Sequence, residues 1–167
     1  AAADLGEICE RRTDRMLDVN RSMGLPAFLA FNAGVDSGLM IAQYTQASMV
    51  SENKRLAVPA SVDSIPSSAM QEDHVSMGWN AARKLRLAIN NLRRILAIEI
   101  LTATRAIDFR APLTASPALM NVHAEVRKVV GRPGPDKVLA DEMKLVDDLA
   151  KSLSMRRAAE LITGPLN

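Results

Sequence analysis

Apolar residues recur along this chain at intervals of three and four, the spacing of a helix face, and no stretch alternates apolar with polar over the length of a strand. The first segment, Ala1 to about Asp18, puts Leu5, Ile8, Cys9, Met16 and Leu17 on one side. It has no N-cap residue and begins in mid-pattern, as if cut from a longer helix. Gly24-Leu25-Pro26 should end it, since a residue before proline is pushed out of the α region. Turn-forming residues follow to Asp36-Ser37, an N-cap signal for a second helix running to about Leu56.

From Ala57 to about His74 the helical period stops, and the segment holds Pro59, Pro66 and the serines at 61, 64, 67 and 68. Irregular segments this long are uncommon in compact domains unless they are functional or disordered. Asp63, Gln71, Glu72, Asp73 and His74 all fall in it, so it is the first place to look for chemistry.

The period returns at about Val75 and holds to Arg110, with Leu85, Ile89, Leu92, Leu96, Ile100, Ala103 and Ile107 forming the stripe. Such a helix is on the order of 50 Å long. It starts basic (Arg83, Lys84, Arg86, Arg93, Arg94) and becomes almost wholly apolar from Ile95 to Leu101. A helix buried on every side needs neighbours on every side, so partner chains are expected there. Glu99, the one acid in that stretch, requires a basic partner on another helix or another subunit. Ser116-Pro117 then opens a helix as N-cap and N1, with Leu119, Val122, Val126 and Val129 on its face and Gly131 and Pro133 closing it. A further helical region starts near Asp136 or Asp141 and carries Leu145, Val146, Leu149 and Leu153. Ser154 can cap a last short helix before Gly164-Pro165, and no repeat or low-complexity segment interrupts the series.

Composition sharpens this into an all-α expectation of long helices in an elongated bundle, with residues 1–167 as a single helical segment. The only aromatics among 167 residues are Phe28, Phe31, Tyr44, Trp79 and Phe109, so the core is aliphatic. A net charge of +2, with no aromatics interleaved among the arginines of the long helix, argues against nucleic acid. The longest apolar run is far too short to cross a bilayer, and no signal peptide pattern opens the chain. One cysteine and two histidines build no structural zinc site and no internal disulfide, so no metal is expected and a cytoplasmic setting is.

Gln71-Glu72-Asp73-His74 is the sharpest polar cluster, and two readings of it stand side by side. In one, Asp73 caps the long helix, Glu72 is solvated and His74 meets a loop carbonyl. In the other, a carboxylate and an amide at a helix start face a pocket. Ser76 is too near in sequence to share a helix face with His74 as a nucleophile pair. His123, beside Val122 and Val126, reads as a half-buried structural histidine, and Cys9 as a small core residue.

The loop also carries a resemblance. Pro59 to Gly78, PASVDSIPSSAMQEDHVSMG, is similar to the matching stretch of histidine ammonia-lyases. So are Glu10-Arg11-Arg12, Gly24 to Leu29, SGLMIAQYTQASMVSENK (Ser37 to Lys54), LAIEIL (Leu96 to Leu101), Asp108-Phe109-Arg110 and SPALMNVHAEVR (Ser116 to Arg127). The resemblance implies the C-terminal portion of the aromatic amino acid ammonia-lyase fold, and elimination of ammonia from L-histidine to give urocanate. It implies a methylidene-imidazolone electrophile made from an Ala-Ser-Gly tripeptide, and a homotetramer whose sites draw on three subunits.

By the same resemblance, Glu72 falls where the family has its active-site glutamate, as a catalytic and substrate-binding group, with Gln71 beside it in the pocket wall. The related phenylalanine and tyrosine lyases carry an amide there, so the acid favours histidine. Met70 departs from the family pattern, where Asn or Gly is usual. No Ala-Ser-Gly occurs in the chain, and Tyr44 matches none of the family's catalytic tyrosines. The expectation is therefore a piece of such an enzyme, inactive alone, whose N-terminal portion is absent. The alternatives are a split subunit of a related lyase or aminomutase completed by an N-terminal partner chain, and a non-catalytic helical oligomerisation module.

Overall fold

The longest helical period in the sequence becomes the axis of the molecule. In the computed structural model, which describes residues 1–166, α1 spans Ala2–Leu17, α2 Met40–Leu56, α3 Gly78–Phe109, α4 Pro117–Arg127, α5 Leu139–Lys151 and α6 Ser154–Thr163, with a short 3-10 turn at Ala27–Leu29. Among the described residues there is no strand, only isolated bridges at Ala33–Asp36 and Ser67–Glu72. With 32 residues, α3 is about 48 Å long at 1.5 Å per residue. Among the described residues no helix is long and apolar enough to cross a membrane.

The carboxyl-terminal half of α3 is clad on two sides. On one side lie α1 and α2, which face each other in fixed register: Gly6 meets Asn53, Cys9 packs with Val50, and Gln43 donates to Glu10. Gly6 allows α1 to approach closely, because a Cβ there would stand 3.2 Å from Ile95 Cδ1. Fully buried Gln46 sends its amide to the Ile95 carbonyl at 2.9 Å, and Asn53 reaches the Ala88 carbonyl. On the other side Ala97 and Leu101 meet Val126 and Val130, just after α4, and Val146 of α5. Arg93 of α3 pairs with Asp147 of α5 at 2.7 Å. Burial opposes ionisation of Asp147, but the hydrogen bonds from Arg93 and Lys151 outweigh it and hold the carboxyl below its usual range.

Several expectations shift by a residue or more. The buried face of α1 is Gly6, Cys9, Glu10, Thr13 and Leu17, while Leu5 and Ile8 are exposed. None of the seven stripe residues read for α3 is fully buried. Its buried positions are instead Asn91, Ile95, Ile98, Glu99, Thr102 and Ala106 along one face and Ala97, Leu101, Thr104 and Arg105 along the other. Asp36 and Ser37 do not cap α2, which begins after Leu39. Asp36 accepts from the Asn32 amide, and Asp136 accepts from the Ser37 and Gly38 amides. Ser116 and Pro117 do start α4, though without a side-chain cap bond, and at α6 it is Ser152 that accepts the Ser154 amide.

The apolar stretch Ile95–Leu101 does not wait for partner chains: its cover comes from α1, α2, α4 and α5 of the same chain. The uncovered part of α3 lies upstream. No residue of the helix before Asn91 is buried, and Trp79, Leu85, Leu87 and Ile89 are exposed.

Candidate functional site

The loop between α2 and α3 is irregular except at one antiparallel bridge, which closes a small hairpin within it. Its serines set the register. Ser64 Oγ accepts the Val75 amide at 2.9 Å, and Ser67 and Glu72 exchange both backbone hydrogen bonds, at 2.9 and 3.3 Å. The turn between them runs through Ser68, Ala69 and Met70, all in the left-handed region at φ +52°, +51° and +71°. Side chains of non-glycine residues disfavour that conformation. Gln71 then donates its amide to the Ser68 carbonyl at 3.1 Å, closing the tip. Lys84 of α3 anchors the loop's base by donating to the Val58 carbonyl.

The tip presents Gln71 and Glu72 together, both exposed, immediately ahead of the longest helix. Ser67 Oγ donates to Glu72 Oε2 at 3.2 Å, the one side-chain hydrogen bond to this carboxylate among the described residues. Neither residue lines the 350 Å³ cavity at the loop's base, which is walled by Asn53, Leu56, Val58, Pro59, Leu85 and Ala88. Asp73 is not the cap of α3: Met77 holds the N-cap position with no side-chain bond, and Gly78 donates its amide to Ser76 Oγ. Ser76 is thereby engaged with the helix start and not with His74, which is exposed. Sequence reasoning passed over Ser67. The available signal was a serine placed to pair across a short turn with the glutamate.

The remaining polar groups are built into the scaffold. His123 Nε2 lies 2.9 Å from Asp108 Oδ1, and Arg127 takes the other oxygen of that carboxylate. Glu99 finds its basic partner within the chain, in Arg12 of α1. Burial, and then the neighbouring Glu99 carboxylate, pushes the Cys9 thiol up to about 11, so it is protonated at neutral pH and a poor nucleophile. Among the described residues no group of three His, Cys, Asp or Glu gathers as metal ligands would.

A family model of aromatic amino acid lyases matches residues 1–128. Histidine ammonia-lyase of Streptomyces avermitilis is 67% identical over 167 residues, which cover 99% of this chain and 33% of that protein. The crystal structure of histidine ammonia-lyase from Trypanosoma cruzi superposes with a TM-score of 0.91 at 42% identity, covering 95% of this chain and 31% of that one. Tyrosine aminomutase from Streptomyces globisporus superposes equally well, with a TM-score of 0.91 at 36% identity over 99% of this chain and 32% of its own. The chain thus spans about a third of the length of the relatives it matches. With this agreement in sequence and in fold, the chain belongs to the aromatic amino acid lyase family.

Proposed function

We propose that this chain forms part of a histidine ammonia-lyase, converting L-histidine to urocanate and ammonia in the cytoplasm, and that Glu72 is the group it contributes to the chemistry. The observation carrying this reading is the carboxylate at the hairpin tip, in a chain 67% identical to a protein named for that reaction. A carboxylate can accept the N–H of the substrate imidazole, or take up a proton as general base. An amide can do neither as well. The internal hydrogen bond falls on Oε2, which leaves Oε1 for a ligand. Gln71, next to it on the tip, adds an amide donor to the same wall.

The family's methylidene-imidazolone supplies an electrophile for the substrate amine. It is built from an Ala-Ser-Gly tripeptide, and none occurs among these 167 residues. The chain therefore does not fit the group as its source, and no step through it is assigned to these residues. The electrophile comes from residues outside this chain, from further sequence of the same enzyme or from an N-terminal partner chain, within a homo-oligomer.

The test is a chimera in which these residues replace the matching third of the Streptomyces avermitilis enzyme, with urocanate followed by its ultraviolet absorbance. The chimera turns over histidine and the purified chain alone does not. Glu72→Gln lowers turnover by ~100-fold, the lower end for loss of a general acid or base, while assembly is kept. Turnover by the isolated chain, or a Glu72→Gln chimera as fast as its parent, overturns the reading.

A further inference from the structure

The hairpin holds more than the acid at its tip. Residues directly opposite in an antiparallel pair put their side chains on the same face of the ribbon, with Cβ atoms about 5 Å apart. Ser67 and Glu72 are such a pair, joined by two backbone hydrogen bonds. Their side chains therefore stand next to each other, and the hydroxyl reaches Glu72 Oε2 at 3.2 Å. The ribbon reverses through three consecutive left-handed residues, Ser68 to Met70. Each such residue is sterically costly, and the short turn is what brings position 67 opposite position 72. Ser67 is half-buried while Glu72 is exposed, so the hydroxyl comes from the better-fixed arm to the freer side chain.

We propose that Ser67 is a positioning residue for Glu72: its hydroxyl orients the carboxylate by binding Oε2, so that Oε1 is the oxygen turned to the substrate. This rests on the reading of Glu72 as the group that acts on histidine. A glutamate free to rotate about its terminal bonds spends its time among several rotamers. A single donor on one oxygen narrows that set without neutralising the charge. Ser67 touches no reacting atom and acts only through Glu72.

The chimera described above separates the two ideas. Ser67→Ala lowers kcat about tenfold, as expected for a lost hydrogen bond to a charged group, and leaves KM for histidine within about threefold. Ser67→Thr, which keeps the hydroxyl, stays within about threefold of the parent. Ser67→Ala added to Glu72→Gln costs nothing further, since a residue acting through another shows no independent effect in a double-mutant cycle. A merely structural serine would lower activity equally in both backgrounds, and circular dichroism melts identify any variant that fails to fold. If Ser67→Ala matches the parent, or adds its loss to that of Glu72→Gln, the positioning role is overturned while Glu72 stands. If Glu72→Gln itself keeps full turnover, the reading beneath it falls as well.

Discussion

A buried carboxylate is tolerated where a cation neutralises it and is destabilising where one does not. Glu99 illustrates this at the scale of one residue. It lies 5% exposed in the apolar centre of α3, and its partner Arg12 reaches it from the surface of α1, with 68% of that side chain in contact with solvent. Water around Arg12 screens the pair, so its loss costs less than the loss of a wholly buried one. Arg12→Met is expected to lower stability by about 2 kcal/mol, below the range for breaking fully buried pairs. Glu99→Gln in the same chain should restore part of that, because the stranded charge is then gone. Urea denaturation of the isolated chain measures both, and an unchanged midpoint in Arg12→Met would show that the pair contributes nothing. Glu72 is the opposite case. It is exposed and held by a single hydroxyl, which suits a group whose partner arrives from elsewhere.

Among the elements, the join between the 3-10 turn and α2 is the most constrained. Gly38 sits at φ +57°, and a Cβ there would fall 2.5 Å from the Phe28 carbonyl oxygen and 2.9 Å from Ala30. That carbonyl also accepts the Leu39 amide, which seats Leu39 and Leu29 in the core with no exposed surface. Gly38→Ala is expected to destabilise by more than about 2 kcal/mol, because backbone strain and a backbone clash act together; a thermal melt within a degree of the parent would refute it. This joint also shows what was legible in the sequence. Helix existence, order and approximate ends were readable from apolar spacing. The buried faces were not, because α1 buries Gly6 and Thr13, and α3 buries Asn91, Thr102 and Thr104, none of which carries an apolar signal. Asp36-Ser37 looked like a cap because the residue types suit one, whereas their true partner, Asp136, is remote in sequence. The loop carrying Glu72 was legible as a break in the helical period, but its fold depends on serine hydroxyls and a left-handed turn, which residue spacing does not encode.

For the molecule as a whole, the decisive feature is where α3 is left bare. A helix of this length needs packing along its flank, since isolated helical turns are marginal in water. Its second half has that packing from four helices of the same chain. Its first half, from Gly78 to Asn90, has no buried residue and shows Trp79, Leu85, Leu87 and Ile89 to solvent alongside Arg83 and Arg86. The α6 residues Leu161 and Ile162 are exposed too. Large apolar side chains left exposed along one helix segment mark it as an interaction site, and the chain covers only a third of its longer relatives. The isolated chain is therefore expected to self-associate through this half of α3. Light scattering should give an average mass above the monomer's that rises with concentration. Trp79 is the sole tryptophan, so its emission should shift to the blue over the same range. Replacing Leu85 and Leu87 by Lys should reverse both changes while leaving the helical circular dichroism of the clad half intact, because neither side chain is buried in the monomer. A monomer mass held to high concentration, with unshifted Trp79 emission, would show that the bare half of α3 is stable in water by itself.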